Sequence, residues 1–356
     1  MVQSREECRE VWSAGCRSGR TPVPVGAAAP LFALAACVSL ATSWLLVSRL
    51  ERVGERLGLS EALLGMVAAL AADAPEITSA ITALVNHQQR IGAGVVIGSN
   101  VFNLAALLGL GALVAGAIRF RRRVVILGGL IAIWIAAVCM VSVLGAVPPV
   151  AGLALSGLAL VGYLVLLGAD RRLLRRLAAG HRWAHWLRAA VVEEERDLDA
   201  AIRPVPADRT DMVMAGVALI VVVLASATME RAASDLGRSF GVPEIVTGAL
   251  VLAAVTSLPN AVAAVYLAVR GRGAAVLSIA LNSNSLNVVV GLLLPGALVG
   301  LGGPAGEAGL VAAWYLGLTA VTLGLAHRQH GLGRPAGALI VGAYAVFVAW
   351  LLVAAA

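Results

Sequence analysis

From Val124 to Ala169 the sequence runs without one charged residue, and similar runs recur along the whole 356-residue chain. An apolar helix needs about 20 residues to cross a bilayer, so such runs leave a chain few choices besides bundled transmembrane helices. Composition agrees: 13% of residues are charged, against about 25% in a soluble domain. The net charge of +7 comes entirely from arginine, because no lysine occurs. A nucleic-acid-binding role is excluded, since it needs a soluble basic face.

Cut at their charged borders, the apolar runs predict about ten spans. They lie near 26–48, 60–86, 91–118, 124–145, 149–169, 212–236, 244–269, 274–300, 308–326 and 335–355. Pro148 and Pro149 mark the turn inside the longest run. The expected organisation is a flexible tail at 1–25, five helices at 26–169, a charged linker at 170–211 and five more helices at 212–356. The run from Thr21 to Ser48 is too long for a signal-peptide core, which spans about 7–15 residues, and is read as a retained span. The linker, with its Glu193, Glu194, Glu195 cluster among arginines, reads as a membrane-adjacent amphipathic segment. Arg5, Arg9, Arg17, Arg20, Arg90, Arg231 and Arg238 fall on one side of this layout and the other arginines on the opposite side. Arginine-rich loops face the cytoplasm, which predicts a cell-membrane protein with a cytoplasmic linker and an outside N-terminus.

Two segments repeat. GLSEALLGMVAALAADAPEITSAITALVNHQQRIGAGVVIGSNVFN, from Gly58, matches GVPEIVTGALVLAAVTSLPNAVAAVYLAVRGRGAAVLSIALNSNSLN, from Gly241. Glu61 pairs with Glu244, Gly65 with Gly248, Pro75 with Pro259, Ser99 with Ser283, Asn100 with Asn284 and Asn103 with Asn287; the register needs one gap between Gly65 and Pro75. The copies, at 58–114 and 241–299, begin with the second and seventh spans and so enter the membrane from opposite sides. Inverted repeats of this kind build secondary transporters, with the site at the midplane between them.

Asp73 and Glu76 lie three residues apart on one helix face of the second span, around Pro75. A carboxylate at that depth costs at least about 2.5–3.5 kcal/mol, so each needs an ion, a proton or a partner, and no lysine exists to supply one. Pro75 and Pro259 have no N–H and are expected to free the carbonyls of Ala71 and Val255 as further ligands. Ser99, Asn100 and Asn103, with Asn282, Ser283, Asn284, Ser285 and Asn287, offer hard oxygens of the sort sodium and calcium take. Interhelical hydrogen bonding is the simpler use of such amides, Asn103 and Asn287 above all. Cys8, Cys16, Cys37 and Cys139 form neither a disulfide framework nor a CxxC site. His87, His181, His185, His327 and His330 map to loops or span edges, which leaves no buried base for an enzyme and points to a non-enzyme.

GMVAALAADAPEITSA with GVVIGSNVFN, and GALVLAAVTSLPNAVAAV with ALNSNSLN, resemble the two alpha-repeats of the cation/calcium antiporter superfamily, whose best-known members are sodium/calcium exchangers. The resemblance covers about a third of the chain and implies an all-α polytopic protein of two inverted five-helix repeats. It implies alternating-access antiport of calcium or a related cation against sodium or protons, with Glu76 and Asn100 as ion ligands. The family usually reads GTSLPE where this chain has AADAPE, which sets Asp73 where a small hydroxyl residue would lie. It usually has a glutamate where this chain has Asn260, a glycine at Asn282, and often an aspartate at Asn284. The carboxylates are thereby gathered on one repeat, for a formal charge of −2. Two acids so close are expected to share a proton, which suits proton-coupled exchange.

The candidate metal ligands are Asp73, Glu76, Ser99, Asn100, Asn103, Thr256, Ser257, Asn260, Ser283, Asn284 and Asn287. No cofactor is expected; the partners are inorganic cations and the bilayer, with no obligate protein partner. The alternatives are a monovalent sodium or potassium/proton antiporter and, in another class, a non-transporting membrane scaffold or sensor.

Overall fold

The computed structural model describes residues 24–56, 69–167, 185–187, 189–191, 208–302 and 306–354. The tail predicted at 1–25 lies almost wholly outside the described residues, and so does most of the linker at 170–211, whose last residues already belong to a helix; Gly58, Glu61 and Gly65 of the repeat match lie outside them too.

Besides helical residues at 185–187 and 189–191, the described residues form ten helices in chain order. They are α1 (Val25–Arg56), α2 (Ala74–Val85), α3 (Gln89–Ala115), α4 (Arg122–Val143), α5 (Pro149–Leu167), α6 (Arg209–Ser239), α7 (Glu244–Val269), α8 (Gly273–Leu286, continued by Asn287–Leu293 and Leu294–Val299), α9 (Gly306–Gln329) and α10 (Arg334–Ala354). Among the described residues, nine are long and apolar enough to cross a membrane; α2 is shorter, and helical residues 69–72 precede it. The chain is an all-helical polytopic membrane protein. A three-residue strand β1 (Ala117–Arg119) pairs antiparallel with β2 (Gly331–Gly333), tying the loop after α3 to the one before α10.

Burial sorts the helices into a centre and a rim. The apolar window of α3 is 94% buried and that of α8 is 83%, against 28% for α1, α5 and α10. Rim helices turn large apolar side chains outward, Leu34, Trp44, Leu158 and Val213 among them, as a surface solvated by lipid requires. The central helices are rich in small residues, which lets backbones approach in a medium where burial alone does not drive association. At Gly98 of α3 a Cβ would run into the backbone of Ala249 on α7, so only glycine permits that crossing.

α6 starts with a capping box, in which Asp208 caps the first turn and the Asp208 N–H donates to Asp211 Oδ2 at 2.9 Å. It packs along α1 through Ser39 Oγ to Ser226 Oγ (2.7 Å), Arg49 Nη1 to Asp211 Oδ1 (2.6 Å) and a small cluster that includes Leu46, Ala218 and Val222.

Among the described residues, three stretches wind as π-helix: Leu104–Leu110 in α3, Thr247–Leu252 in α7 and Asn287–Leu293 in α8. A π-turn holds one residue more than an α-turn. The first and third follow Asn103 and open at Asn287, matched positions of the repeat. The second begins one residue before Gly248 and runs into the Gly248–Pro259 interval, the longer side of the one-residue gap that the repeat alignment requires.

Candidate functional site

Pro75 sits in the first turn of α2, behind a break at Asp73 (φ −82°, ψ −4°), whereas Pro259 lies inside the continuous stretch Ala253–Val269. Both place polar side chains at the centre of the bundle, opposite the asparagines of α3 and α8. Asp73, Glu76, Ser99, Asn100, Asn103, Thr256, Ser257, Ser283 and Asn287 are buried, with Asn260 and Asn284 nearly so.

The two acids are held from the other half of the chain. Asn260 Nδ2 donates to Asp73 Oδ1 at 2.7 Å, and Ser283 Oγ donates to the same oxygen at 2.6 Å. Ser257 Oγ donates to Glu76 Oε1, and Asn287 Nδ2 donates to Glu76 Oε2 at 2.5 Å. Asp73 and Ser257 each stand two residues before their proline, while Glu76 and Asn260 each follow it. Asp73–Asn260 and Ser257–Glu76 are therefore the same contact seen from each repeat. The asparagines behave alike: Asn100 Nδ2 donates to the Asn284 carbonyl at 3.0 Å, and Asn284 Nδ2 donates to the Asn100 carbonyl at 3.1 Å. Such reciprocal pairing is what a two-fold axis between equivalent surfaces produces. Asn103 Nδ2 donates to Asn284 Oδ1 at 3.1 Å, and Asn287 Nδ2 also to Asn100 Oδ1 at 3.2 Å.

Three buried oxygens in this cluster have no hydrogen-bond donor: Asp73 Oδ2, Asn103 Oδ1 and Asn287 Oδ1. A buried acceptor left without a partner costs about 1–3 kcal/mol, and these are hard oxygens suited to a hard cation. Among the described residues the ion pairs lie elsewhere, at Arg49 and Arg52 with Asp211, Arg90 with Glu307 and Arg238 with Asp235. The described residues also hold no cluster of three or more His, Cys, Asp or Glu side chains. The arrangement can thus neutralise two positive charges from one side and wrap them in amide and hydroxyl oxygens from both.

Two expected ligands turn elsewhere. Thr256 Oγ1 donates to its own helix at the Leu252 carbonyl (2.9 Å), and Ser99 Oγ to the Val96 carbonyl (3.0 Å), although Ser99 still lies beside Glu76. The Ala71 carbonyl is not left free as the proline alone suggests, because Ser43 Oγ of α1 donates to it at 3.1 Å. Sequence reasoning missed that cap, and it missed Glu230, a fully buried acid of α6 outside the repeat segments.

A family model described as sodium/calcium exchanger protein matches residues 27–169 and 210–353. A protein of Alkalimonas amylolytica that carries the antiporter name CaxA is 30% identical over 95 residues, which make up 26% of this chain and 30% of that protein. The match therefore spans less than a third of that relative's length. Among solved structures, the sodium-calcium exchanger NCX_Mj, soaked with zero Na+ and Ca2+, superposes with a TM-score of 0.55 at 20% identity, covering 92% of this chain and 100% of its own. The H+/Ca2+ exchanger CAX superposes with a TM-score of 0.67 at 12% identity, covering 95% and 87%. At these identities the likeness is one of fold.

Proposed function

The chain belongs to the sodium/calcium exchanger protein family, and from that premise we propose that it moves calcium or a related divalent cation against sodium or protons by alternating access. The observation that carries this reading is the convergence of Asp73 and Glu76 with Ser257, Asn260, Ser283 and Asn287 in one buried cluster fed by both halves. The formal charge of −2 matches one divalent cation. Calcium takes about 6–8 oxygens, and the two carboxylates with the donorless amide oxygens of Asn103 and Asn287 supply most of that number. Because each acid is bridged to the opposite half, parting the halves on either side strips the ion of part of its shell and opens a way out.

The same charge is balanced by one sodium and one exchangeable proton, which gives a monovalent antiporter as the second reading. Cation uptake into proteoliposomes tests both. Calcium uptake driven by a sodium or proton gradient, lost in Glu76→Gln, supports the first; sodium uptake that calcium does not compete for supports the second. The excess of arginine around residues 119–123 and 170–211 supports a cytoplasmic linker and an outside N-terminus in the cell membrane.

A further inference from the structure

Glu230 lies outside the ion cluster, yet it is as buried as the two acids within it. Its Oε2 has no hydrogen-bond partner. Its Oε1 is 2.8 Å from the side-chain nitrogen of Gln88, in the amide orientation that also lets Gln88 accept from Ser234 Oγ at 2.7 Å and Arg238 Nη1 at 3.3 Å. Gln88 belongs to the turn between α2 and α3, so this contact joins α6 to one end of the bundle.

One turn inward on α6 is Ser226, whose carbonyl accepts from Ser79 Oγ at 3.4 Å and whose hydroxyl meets Ser39 Oγ at 2.7 Å. Ser79 is one turn beyond Glu76 on α2. A line of buried polar groups thus runs from the Gln88 end toward the cluster, through helices otherwise built from apolar and small residues. One donorless carboxylate oxygen is too little to coordinate a metal ion, which needs several oxygens, but one oxygen is enough to hold a proton.

The charged groups acting on Glu230 are Arg231, Arg238 and Asp235 of its own helix, and Arg238 is engaged by Asp235 at 2.5 Å. The turn before α3 offers it only the neutral Gln88 amide. Among the described side chains, the helices packed against α6 carry Glu76 on α2, Glu244 on α7, and Arg49 and Arg52 on α1, the last two engaged with Asp211. Among the described residues no ion pair reaches Glu230, on which Arg231 and Arg238 act only at a distance, and an intramembrane acid without a paired cation is by default a functional group.

We propose that Glu230 is a proton-binding station at the Gln88 end of the bundle, taking up a proton from solution as the ion cluster releases its cation and returning it as a cation enters. The chemistry is one O–H bond formed on the carboxylate and broken again, with water on the face where the cation leaves as donor and water on the opposite face, where the next cation enters, as acceptor. The proposal rests on the antiport reading, and its test separates the two.

The full-length protein is reconstituted in liposomes, and two rates are compared: calcium uptake driven by a pH gradient, and calcium/calcium self-exchange at equal pH. In Glu230→Gln the ratio of the first to the second is expected to fall to its value without a gradient, and Glu230→Asp is expected to recover part of it. An unchanged ratio in Glu230→Gln overturns the proposal, as does a wild-type protein that self-exchanges but ignores the gradient. A wild-type protein that exchanges no cation refutes the antiport reading instead. The infrared band of a protonated carboxyl then decides for Glu230: its loss in Glu230→Gln supports the station, its persistence overturns it. If Glu230→Gln fails to fold, Gln88→Leu stands in, with a shifted pH midpoint of exchange expected and an unshifted one against the proposal.

Discussion

The two copies of the repeat meet around one cluster but contribute opposite chemistry. The first copy breaks its helix at Asp73 and carries both acids; the second runs unbroken through Pro259 and offers Ser257 and Asn260 at the matching places. Geometry is shared while charge is not. The neutral copy supplies the N–H and O–H donors that hold the carboxylates, so the halves are complementary where strict symmetry would have set acid against acid. Like charges at that separation repel strongly in a medium of low dielectric, and dividing the roles avoids the conflict without disturbing the paired contacts.

If charge resides in the first copy alone, removing it there has the largest consequence. Glu76→Gln should weaken divalent-cation binding about 100-fold, measured by isothermal titration of the purified protein, and a near-normal affinity would break the comparison outright. The close contact between the copies is tested next: Gly98→Ala should destabilise the protein by about 2 kcal/mol through overpacking against Ala249. Thermal unfolding in detergent reads this out, with Gly157→Ala, where a Cβ meets nothing within 4 Å, as the control.

In the neutral copy, Ser257→Ala and Asn260→Ala should each weaken binding about tenfold, the scale of one hydrogen bond to a charged group. The smallest effect is expected from moving an acid across the axis. Asp73→Asn combined with Asn260→Asp keeps the contact and exchanges its ends, so affinity should stay within about threefold of wild type, with both single variants worse. A double variant no better than its singles would show that the copies are not interchangeable at this contact.

Much of this was legible in the sequence, for physical reasons that differ by residue. Asp73 and Glu76 stood out because charge is scarce and apolar residues surround it, and the asparagines because they fall at matched positions in order. Glu230 escaped because Arg231 beside it makes the pair look like a solvated helix end, and only packing shows that Gln88 covers the acid. The Ser43 cap on the Ala71 carbonyl was hidden because it joins residues far apart on different helices. The π-turn at Thr247–Leu252 sits beside the one-residue gap in the alignment, but a gap does not say whether an extra residue is looped out or wound in, and the matching stretch of the first copy lies outside the described residues. The eleven candidate ligands come together in the centre, but which of them touch an acid depended on side-chain direction, as Thr256 turning to its own backbone illustrates.

The π-turn at Thr247–Leu252 sets the angular phase of everything after it. Each residue of an α-helix advances the next by about 100° around the axis, so trimming Thr247–Leu252 to an ordinary turn would swing Ser257, Pro259 and Asn260 by that angle unless the rest of α7 rotated to compensate. The donors of the second copy are therefore aimed at the acids through the winding of that turn, and a single-residue deletion within it would misdirect the cluster without altering any residue in it.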